Sequence, residues 1–234
     1  MKVSIVLPTY NERENIVNLI QAVFEQVKDD CEVVVVDDNS PDGTWKLVEE
    51  IDDFRVKLIR RMDEKGLASA IKRGIEASEG DVVVVMDTDF SHPTETIPEL
   101  IATTRDFHIA RGSRYVEGGG MESTRERVLL SKLTNLFAKL LLGLDIKDST
   151  SSFFAARREV FRDIEILDEW GTHGNYSIGF LFTARKKGLK IKEVPFLYKD
   201  RIAGTTKTSP DKGRLLKWGV RYCLTVLRLR FKSP

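Results

Sequence analysis

Short runs of apolar residues alternate with segments of helical period over the first half of the chain. Near-continuous branched residues predict four strands buried on both faces of a sheet, at residues 3–7, 33–36, 56–59 and 82–86. The periodicity predicts helices between them, near residues 15–28, 44–51 and 67–78, and a helix from about Thr96 leads to a fifth strand at 108–112. This alternation predicts an α/β fold with a mostly parallel, Rossmann-like sheet flanked by helices.

The pattern changes after Gly112. The glycine-rich stretch 118–120 predicts a mobile loop. Beyond it the sequence predicts a leucine-rich helix at 125–142, an antiparallel strand at 153–156, a helix at 177–187, a strand at 191–195 and a helix at 214–232. Asn11 followed by Glu14 is a capping pattern for the first helix, although Asn11 suits a loop equally well.

Composition and charge narrow the class of protein. A chain of 234 residues is long enough for one large α/β domain, and a net charge of +1 gives no reason to expect a nucleic-acid partner. Residues 201–234 carry nine Lys or Arg and one Asp, so a basic segment follows an acidic body. Cys31 and Cys223 alone indicate no disulfide framework and favour a reducing compartment. The sequence predicts neither a signal peptide nor a transmembrane helix.

Two aspartates follow the fourth apolar run directly. Ligands bind at the carboxyl ends of strands in open α/β sheets, and Asp87 and Asp89 lie at such an end. Two carboxylates one residue apart can bind one hard cation, and Mg²⁺ or Mn²⁺ would bridge them to phosphate oxygens. An isolated Asp-x-Asp is more often a solvated turn, and a lone His92 a turn or surface residue. The position after a buried strand favours the cation site.

Several motifs in order resemble a known family. They are Pro8-Thr9-Tyr10-Asn11-Glu12, VDDNSPDGT at 36–44, KGLASA at 65–70 and MDTDFSHP at 86–93. They resemble the inverting family 2 glycosyltransferases of GT-A fold, most closely the dolichyl (polyprenyl) phosphate mannose synthases. Further matches at 112–115, 148–160, 193–195 and 200–207 imply a GT-A catalytic domain over residues 1–207. An NAD-binding Rossmann enzyme fits poorly because no Gly-x-Gly-x-x-Gly follows the first strand.

The resemblance implies roles for individual side chains. The residues implied to line the nucleoside pocket are Pro8, Tyr10, Glu12, Val36 and Asp38. The residues implied to hold the cation and the diphosphate are Asp87, Thr88, Asp89 and, as a weaker ligand than a carboxamide, Ser91. Cationic groups implied to neutralise the phosphates are Arg114, Arg201 and Lys207, and the last two form the catalytic set with Asp89. Arg127 and Ser131 resemble the pair that binds the acceptor's lipid phosphate. Asp42 is expected in turn or N-cap chemistry.

One missing group bears on the acceptor. A sugar hydroxyl needs a carboxylate base, yet the region where relatives carry one reads GNYSIGFL at 174–181. A phosphate acceptor is already anionic. The resemblance therefore implies transfer of mannose from GDP-mannose to a dolichyl or polyprenyl phosphate, with inversion. A UDP-glucose donor and an inactive sugar-nucleotide-binding or membrane-docking subunit stay open. Residues 151–154 lack a glycine often found there.

A helix at 214–232 would have two unlike faces. Its basic stripe consists of Arg214, Lys217, Arg221, Arg228 and Lys232, and the opposite arc of Leu216, Val220, Cys223, Leu227 and Phe231. This pattern predicts that residues 208–234 form an amphipathic helix in the membrane interface. A peripheral enzyme on the cytoplasmic face of a membrane is then expected, with a membrane-anchoring partner or an oligomer also open. Packing of the helix on the enzyme body is the alternative.

Overall fold

The computed structural model describes residues 1–28, 30–164, 175–199 and 212–232, without the side chains of 212, 214–216 and 232. The main sheet consists of β1 (Val3–Thr9), β2 (Cys31–Asp37), β3 (Val56–Arg60), β4 (Val82–Val85), β5 (Ile109–Ser113), β7 (Phe154–Arg157) and β8 (Ile191–Pro195). A separate parallel pair joins β6 (Gly120–Glu122) to β9 (Leu197–Lys199). The helices are α1 (Ile16–Gln26), α2 (Thr44–Glu49), α3 (Leu67–Ala77), α4 (Ile97–Thr103), α5 (Arg125–Leu142), α6 (Val160–Asp163), α7 (Tyr176–Lys186) and α8 (Lys212–Lys232).

The strand order explains where a site can form. The order is β3-β2-β1-β4-β7-β5-β8, with β7 antiparallel to both neighbours and the other neighbouring strands parallel. The carboxyl ends of β1, β2, β4 and β5 therefore lie at one edge of the sheet. Because β7 runs the opposite way, the residues that precede it reach that same edge. Both the predicted antiparallel strand and the predicted α/β class are confirmed.

Apolar clusters cover both faces of the sheet. Every residue of β1 and β2 is buried, as near-continuous branched residues predict. One cluster packs α1 and α4 against the sheet, and the other packs α3, α5, α7 and α8. Gly74 lets α3 approach β1 closely, since a Cβ there would lie 2.3 Å from Cγ1 of Val6.

Two local predictions are wrong. The first helix has Asn15, not Asn11, as its N-cap residue, and no side chain caps it. Asn11 has a φ of 55°, so it belongs to the loop that was the alternative. The stretch 118–120 is not loop throughout, because Gly120 begins β6 and pairs with Leu197. That pairing joins residues 77 positions apart, which local composition does not reveal.

The C-terminal helix packs against the rest of the protein. On α8, Gly219, Thr225 and Val226 are buried, and the Asn175 side chain donates to Thr225 Oγ1 at 2.8 Å. Tyr222 and Leu229 pack against the cluster that α3, α5 and α7 share. The inner face of the helix thus belongs to the same core as the sheet.

Candidate active site

The motifs after β1, β2 and β4 meet at the carboxyl edge. Thr9 Oγ1 donates to Asp37 Oδ2 at 3.1 Å, and Thr88 Oγ1 lies 3.5 Å from the carbonyl oxygen of Pro8. The amide of Glu12 donates to Thr44 Oγ1 at 2.9 Å. Residues implied by separate stretches of sequence are thereby brought together around the ends of three neighbouring strands.

Asp42 has the turn role expected of it. Its Oδ1 accepts hydrogen bonds from the Thr44 amide at 2.9 Å and from the Thr44 hydroxyl at 2.6 Å, and its Oδ2 accepts from the amide of Arg13. The N-cap position itself is Gly43, which has a φ of 80°. Burial would raise the pKa of Asp42, but these hydrogen bonds outweigh it and lower the pKa.

Asp38 is held by an arginine that the motifs did not reveal. Arg61 is 6% exposed, its Nε donates to Asp38 Oδ1 at 2.7 Å, and its Nη2 contacts the same oxygen. The amide of Gly66 donates to Asp38 Oδ2 at 2.8 Å. Both carboxylate oxygens are therefore engaged, and Asp38 fixes the loop that begins α3. The available signal was an arginine just past the third predicted strand, at the same sheet edge.

Val36 and Tyr10, which the resemblance assigns to the nucleoside pocket, differ in their exposure at the carboxyl edge of the sheet. Val36 is fully buried in an apolar cluster with Val34 and Ala70, so its side chain is part of the core. Tyr10 is half-buried, and Nζ of Lys65 lies 5.4 Å from the centre of its ring. The backbone of Val36 is buried as well, and its carbonyl oxygen accepts from Thr9 Oγ1 at 3.2 Å.

Asp87 and Asp89 are each held by a serine. Ser152 Oγ donates to Asp87 Oδ1 at 2.9 Å. Ser91, which is 1% exposed, donates to Asp89 Oδ1 from its amide at 3.1 Å and from its hydroxyl at 2.6 Å. Phe90 between them has a φ of 60°, a strained conformation that is common at functional sites.

His92 is a buried support for Asp87 and not a surface residue. It is 2% exposed, its Nδ1 accepts the Asp87 amide at 2.9 Å, and its ring stacks on Phe153 at 4.8 Å between centroids. Burial lowers the pKa of His92, and the charges of Asp87 and Asp89 oppose this only in part. The neutral imidazole thus accepts at Nδ1.

The chemistry of the two carboxylates fits a divalent cation. Mg²⁺ prefers oxygen ligands and is commonly held by one or two carboxylates together with waters and substrate phosphates. In the described ranges, no group of three or more His, Cys, Asp or Glu is arranged to hold a metal. Asp87 and Asp89 would hold such a cation together with oxygens from a bound phosphate.

Arg114 forms a buried ion pair with Asp148. Its Nε donates to Oδ2 at 2.7 Å and its Nη2 to Oδ1 at 2.8 Å. Burial would raise the pKa of Asp148, but the charge and hydrogen bonds of Arg114 outweigh it and hold the pKa at about 2. The charge of Arg114 is balanced inside the protein, and this pair was not foreseen from the sequence.

The ion pair begins a loop, residues 148–153, that leads into β7. Asn135 of α5 accepts at Oδ1 from the Ser149 amide at 2.7 Å and from the Ser149 hydroxyl at 2.8 Å. The fully buried Arg111 donates to the carbonyl oxygens of Asp148 and Ser149. The loop is thus fastened to both β5 and α5.

The implied acceptor residues lie at the start of α5. Thr124 caps this helix by accepting from the amide of Arg127, and Arg127 Nη2 donates to Tyr198 Oη at 2.9 Å. The hydroxyl of Ser131 is buried beside that of Tyr115. Arg201 and Lys207 lie outside the described residues.

The stretch without a carboxylate base forms the start of α7. Ile178, Phe180 and Leu181 are fully buried, and Ser177 contacts Arg111 and donates to the carbonyl oxygen of Ser149 at 2.7 Å. These residues belong to the core under the loop 148–153. Gly174 lies outside the described residues.

Two exposed apolar stripes run along α5 and α8. Their members recur at the same helical spacing: Leu129, Leu133, Leu136 and Leu140 on α5, and Val220, Leu224, Leu227 and Phe231 on α8. The two helices pack together, and a Cβ on Gly219 would lie 2.9 Å from Leu130 Cδ1. Exposed basic residues flank the stripes: Lys132, Lys139, Lys217, Arg221, Arg228 and Arg230. We call this surface the α5–α8 face.

The predicted arc on the C-terminal helix agrees in part with this face. Val220, Leu227 and Phe231 are exposed, whereas Cys223 is half-buried. Lys217, Arg221 and Arg228 are exposed, and the side chains of Arg214, Leu216 and Lys232 lie outside the description. Within the described part of the chain, no helix is long and apolar enough to cross a membrane.

Comparison with known proteins places the chain among glycosyl transferases. Residues 4–165 match the family model Glycosyl transferase family 2. The chain is 42% identical over 235 residues to a dolichol-phosphate mannosyltransferase from Pyrococcus furiosus, covering 93% of this chain and 64% of that protein. It is 34% identical over 230 residues to a polyprenol monophosphomannose synthase from Mycolicibacterium smegmatis, covering 93% and 86%. The chain thus spans somewhat less than two thirds of the P. furiosus relative.

Solved structures resemble the whole fold. Glucosyl-3-phosphoglycerate synthase from Mycobacterium tuberculosis, in complex with Mn²⁺, UDP and glucosyl-3-phosphoglycerate, has a TM-score of 0.73 at 20% identity, over 100% of this chain and 81% of that one. The same enzyme with Mg²⁺ and UDP gives a TM-score of 0.71 at 20% identity, over 100% and 80%. At this identity the likeness shows the fold, and it confirms the predicted GT-A architecture.

Proposed function

Because the chain belongs to glycosyl transferase family 2, we propose that it transfers mannose from GDP-mannose to a dolichyl or other polyprenyl phosphate, with inversion. The observation that carries the proposal is the placement of Asp87 and Asp89 at the edge where the motifs after β1 and β2 also end. The names of the two relatives support the sugar and the acceptor.

A divalent cation held beside Asp87 and Asp89 would bind the leaving group. Asp87, Asp89 and Ser91 are the proposed ligands of Mg²⁺ or Mn²⁺, with Thr88 beside the diphosphate. The bound ion would neutralise the charge of the departing nucleoside diphosphate. The hydrogen bonds from Ser152 and Ser91 hold the two carboxylates in place before the donor arrives.

The donor's nucleoside would lie over the ends of β1 and β2. We propose that Pro8, Tyr10 and Glu12 line one side of this pocket and Asp38 the other, with the buried Val36 supporting the strand behind them. Since Arg61 and Gly66 already engage both carboxylate oxygens of Asp38, this residue would shape the pocket wall and contact the nucleoside with its remaining lone pairs.

The acceptor needs no general base. One oxygen of the lipid phosphate bonds to the anomeric carbon while the bond from that carbon to the diphosphate oxygen breaks. Because the phosphate is already an anion, no proton has to be removed. The enzyme's task is then positioning and neutralisation of charge, for which we propose Arg127 and Ser131 at the acceptor and Arg201 and Lys207 at the donor. We propose a supporting role for Arg114, because its charge is already balanced by the buried Asp148.

The α5–α8 face is the proposed contact with the membrane. Apolar stripes flanked by basic residues suit insertion among the head groups of anionic lipids. Arg127 and Ser131 open the helix that carries one stripe, so a lipid phosphate at the surface would lie close to the site. We propose a peripheral enzyme on the cytoplasmic face, where a reducing environment suits the absence of a disulfide between Cys31 and Cys223.

A transfer assay tests the function. The protein is incubated with Mn²⁺ or Mg²⁺, a labelled sugar nucleotide and a short polyprenyl phosphate in vesicles, using GDP-mannose and UDP-glucose in separate reactions. Labelled lipid is expected from GDP-mannose, and removal of the cation with a chelator should abolish it. Transfer from UDP-glucose alone would reassign the donor, and no transfer from either would contradict the proposal. Asp89→Asn is the inactive control.

A further inference from the structure

Asp87 is fixed by two consecutive residues that lie far from it in sequence. Ser152 Oγ donates to its Oδ1 at 2.9 Å, and Ser152 is 8% exposed. The next residue, Phe153, is fully buried and stacks on His92, whose Nδ1 accepts the Asp87 amide at 2.9 Å. The loop 148–153 thus contacts the side chain of Asp87 directly and supports its main chain through His92.

The loop itself is rigidly placed. It begins at Asp148, which pairs with Arg114, and it ends at Phe153 immediately before β7. Between these points Ser149 is bonded to Asn135 of α5 through both its amide and its hydroxyl. Because the loop is held at these points, the Ser152 hydroxyl has little freedom to move with the side chain of Asp87.

The two aspartates are supported in different ways. Asp89 accepts from Ser91, two residues away, in a local turn. Asp87 depends on Ser152, 65 residues away, for the hydrogen bond to its carboxylate. A donor on one oxygen restricts rotation of the carboxylate and so directs the other oxygen, which is how residues behind the ligands tune metal sites.

We propose that Ser152 is a positioning residue for cation binding by Asp87, an inference that rests on the proposed function. Its hydroxyl holds the carboxylate of Asp87 in the orientation that receives Mg²⁺ or Mn²⁺ together with the donor's diphosphate.

Binding of Mn²⁺ tests the assignment without turnover. The free Mn²⁺ signal in electron paramagnetic resonance is followed as protein is titrated in saturating GDP. Loss of a supporting hydrogen bond typically weakens metal affinity about tenfold or more, which is the expected effect of Ser152→Ala. Ser152→Thr keeps the hydroxyl and is expected to bind like the wild type.

A matched control separates positioning from packing. Ser78 is a buried serine that donates to the carbonyl oxygen of Gly74 at 2.8 Å, beyond the opposite edge of the sheet. Ser78→Ala should leave Mn²⁺ affinity unchanged. In transfer assays, high Mn²⁺ should restore the kcat of Ser152→Ala, because the defect lies in binding the ion.

The outcomes distinguish this inference from the function. If the wild type binds Mn²⁺ and Ser152→Ala binds it equally well, the positioning role is overturned while the glycosyl transfer stands. Equal weakening in Ser152→Ala and Ser152→Thr would also overturn it, since the hydroxyl would then not matter. If the wild type binds no Mn²⁺ with GDP or UDP, both the cation site and the inference fall.

Discussion

At the scale of single residues, Asp148 combines complete burial with full ionisation. Its pKa of about 2 lies below the ordinary value of 3.8 because Arg114 outweighs the effect of burial. A carboxyl whose folded pKa is depressed stabilises the protein above its unfolded pKa, and this stabilisation is lost as the pH falls through the folded value. The lowered pKa of Asp148 contributes on the order of 2 kcal/mol to the free energy of unfolding at neutral pH.

Asp148→Asn should therefore destabilise the protein most at neutral pH. Removing one partner of a buried ion pair typically costs about 3–5 kcal/mol, because the other charge is left buried. Urea unfolding at a series of pH values would measure this loss of unfolding free energy. The difference in unfolding free energy between wild type and variant should shrink as the pH falls from about 4 to about 2. A difference independent of pH would contradict the ion-pair explanation.

Arg127→Ala should weaken binding of the acceptor but not binding of the sugar nucleotide. A hydrogen bond to a charged group contributes about 1.5–3 kcal/mol, so the KM for polyprenyl phosphate should rise about tenfold or more. The KM for the sugar nucleotide should not change. Arg125→Ala is the matched control, since Arg125 is an exposed arginine at the same end of α5. Steady-state kinetics with each substrate varied in turn would decide, and an unchanged acceptor KM would contradict the assignment.

At the scale of elements, the contact of α3 with β1 sets a limit on side-chain size. Alanine is favoured over glycine in a helix by about 1 kcal/mol, but a Cβ at position 74 would lie 2.3 Å from Val6 Cγ1. Overpacking a well-filled core costs about 1–3 kcal/mol, so Gly74→Ala should destabilise the protein in urea unfolding. Adding Val6→Ala removes the clashing methyl group. The double variant should lose less stability than the sum of the two single losses, and simple additivity would contradict this explanation.

Local signals predicted the elements well. The helix Arg125–Leu142 and the strand Ile191–Pro195 have the bounds that the sequence predicts, because periodicity and flanking residues mark both ends. How the strands pair with one another was harder to predict from the sequence than where each element lies. Neither the position of β7 between β4 and β5 nor the pair of β6 and β9 follows from local pattern, because both depend on contacts between distant segments.

The site divides in the same way. Asp87 and Asp89 are predicted as site residues because they follow a buried strand within a motif. Arg61 and Ser152 were missed because each acts on a partner more than 20 residues away, and the position of Arg61 just past the third strand is a weak local signal. Val36 was assigned from its motif, yet strand alternation places its side chain in the core.

At the scale of the whole molecule, α8 has a buried inner face and an exposed outer face. Thr225 and Val226 are buried against the body, so removal of residues 212–234 should lower the melting temperature as well as any membrane binding. Truncation alone therefore cannot test the α5–α8 face. Substitutions on the outer face can.

The double variant Leu224→Glu, Phe231→Glu should bind anionic vesicles at least about tenfold more weakly, since burying one large apolar side chain contributes about 1.5–3 kcal/mol. Both side chains are exposed, so the melting temperature should hardly change. Phe54→Glu is the control, because Phe54 is 95% exposed just before the amino end of β3. Vesicle sedimentation measures the binding. Unchanged sedimentation, or a wild type that is dimeric through this face, would contradict membrane docking.

The loop before β7 has a consequence for chain length. Four residues span the distance between Asp148, which is locked to Arg114, and Phe153, which is stacked on His92. The amide of Ser151 donates to Asp148 Oδ1 at 3.2 Å and the amide of Phe153 donates to Ser151 Oγ at 3.2 Å, so deleting or inserting a residue would break these hydrogen bonds and shift Ser152 relative to Asp87. Variants that keep their function should therefore accept substitutions between Asp148 and Phe153 more readily than insertions or deletions there.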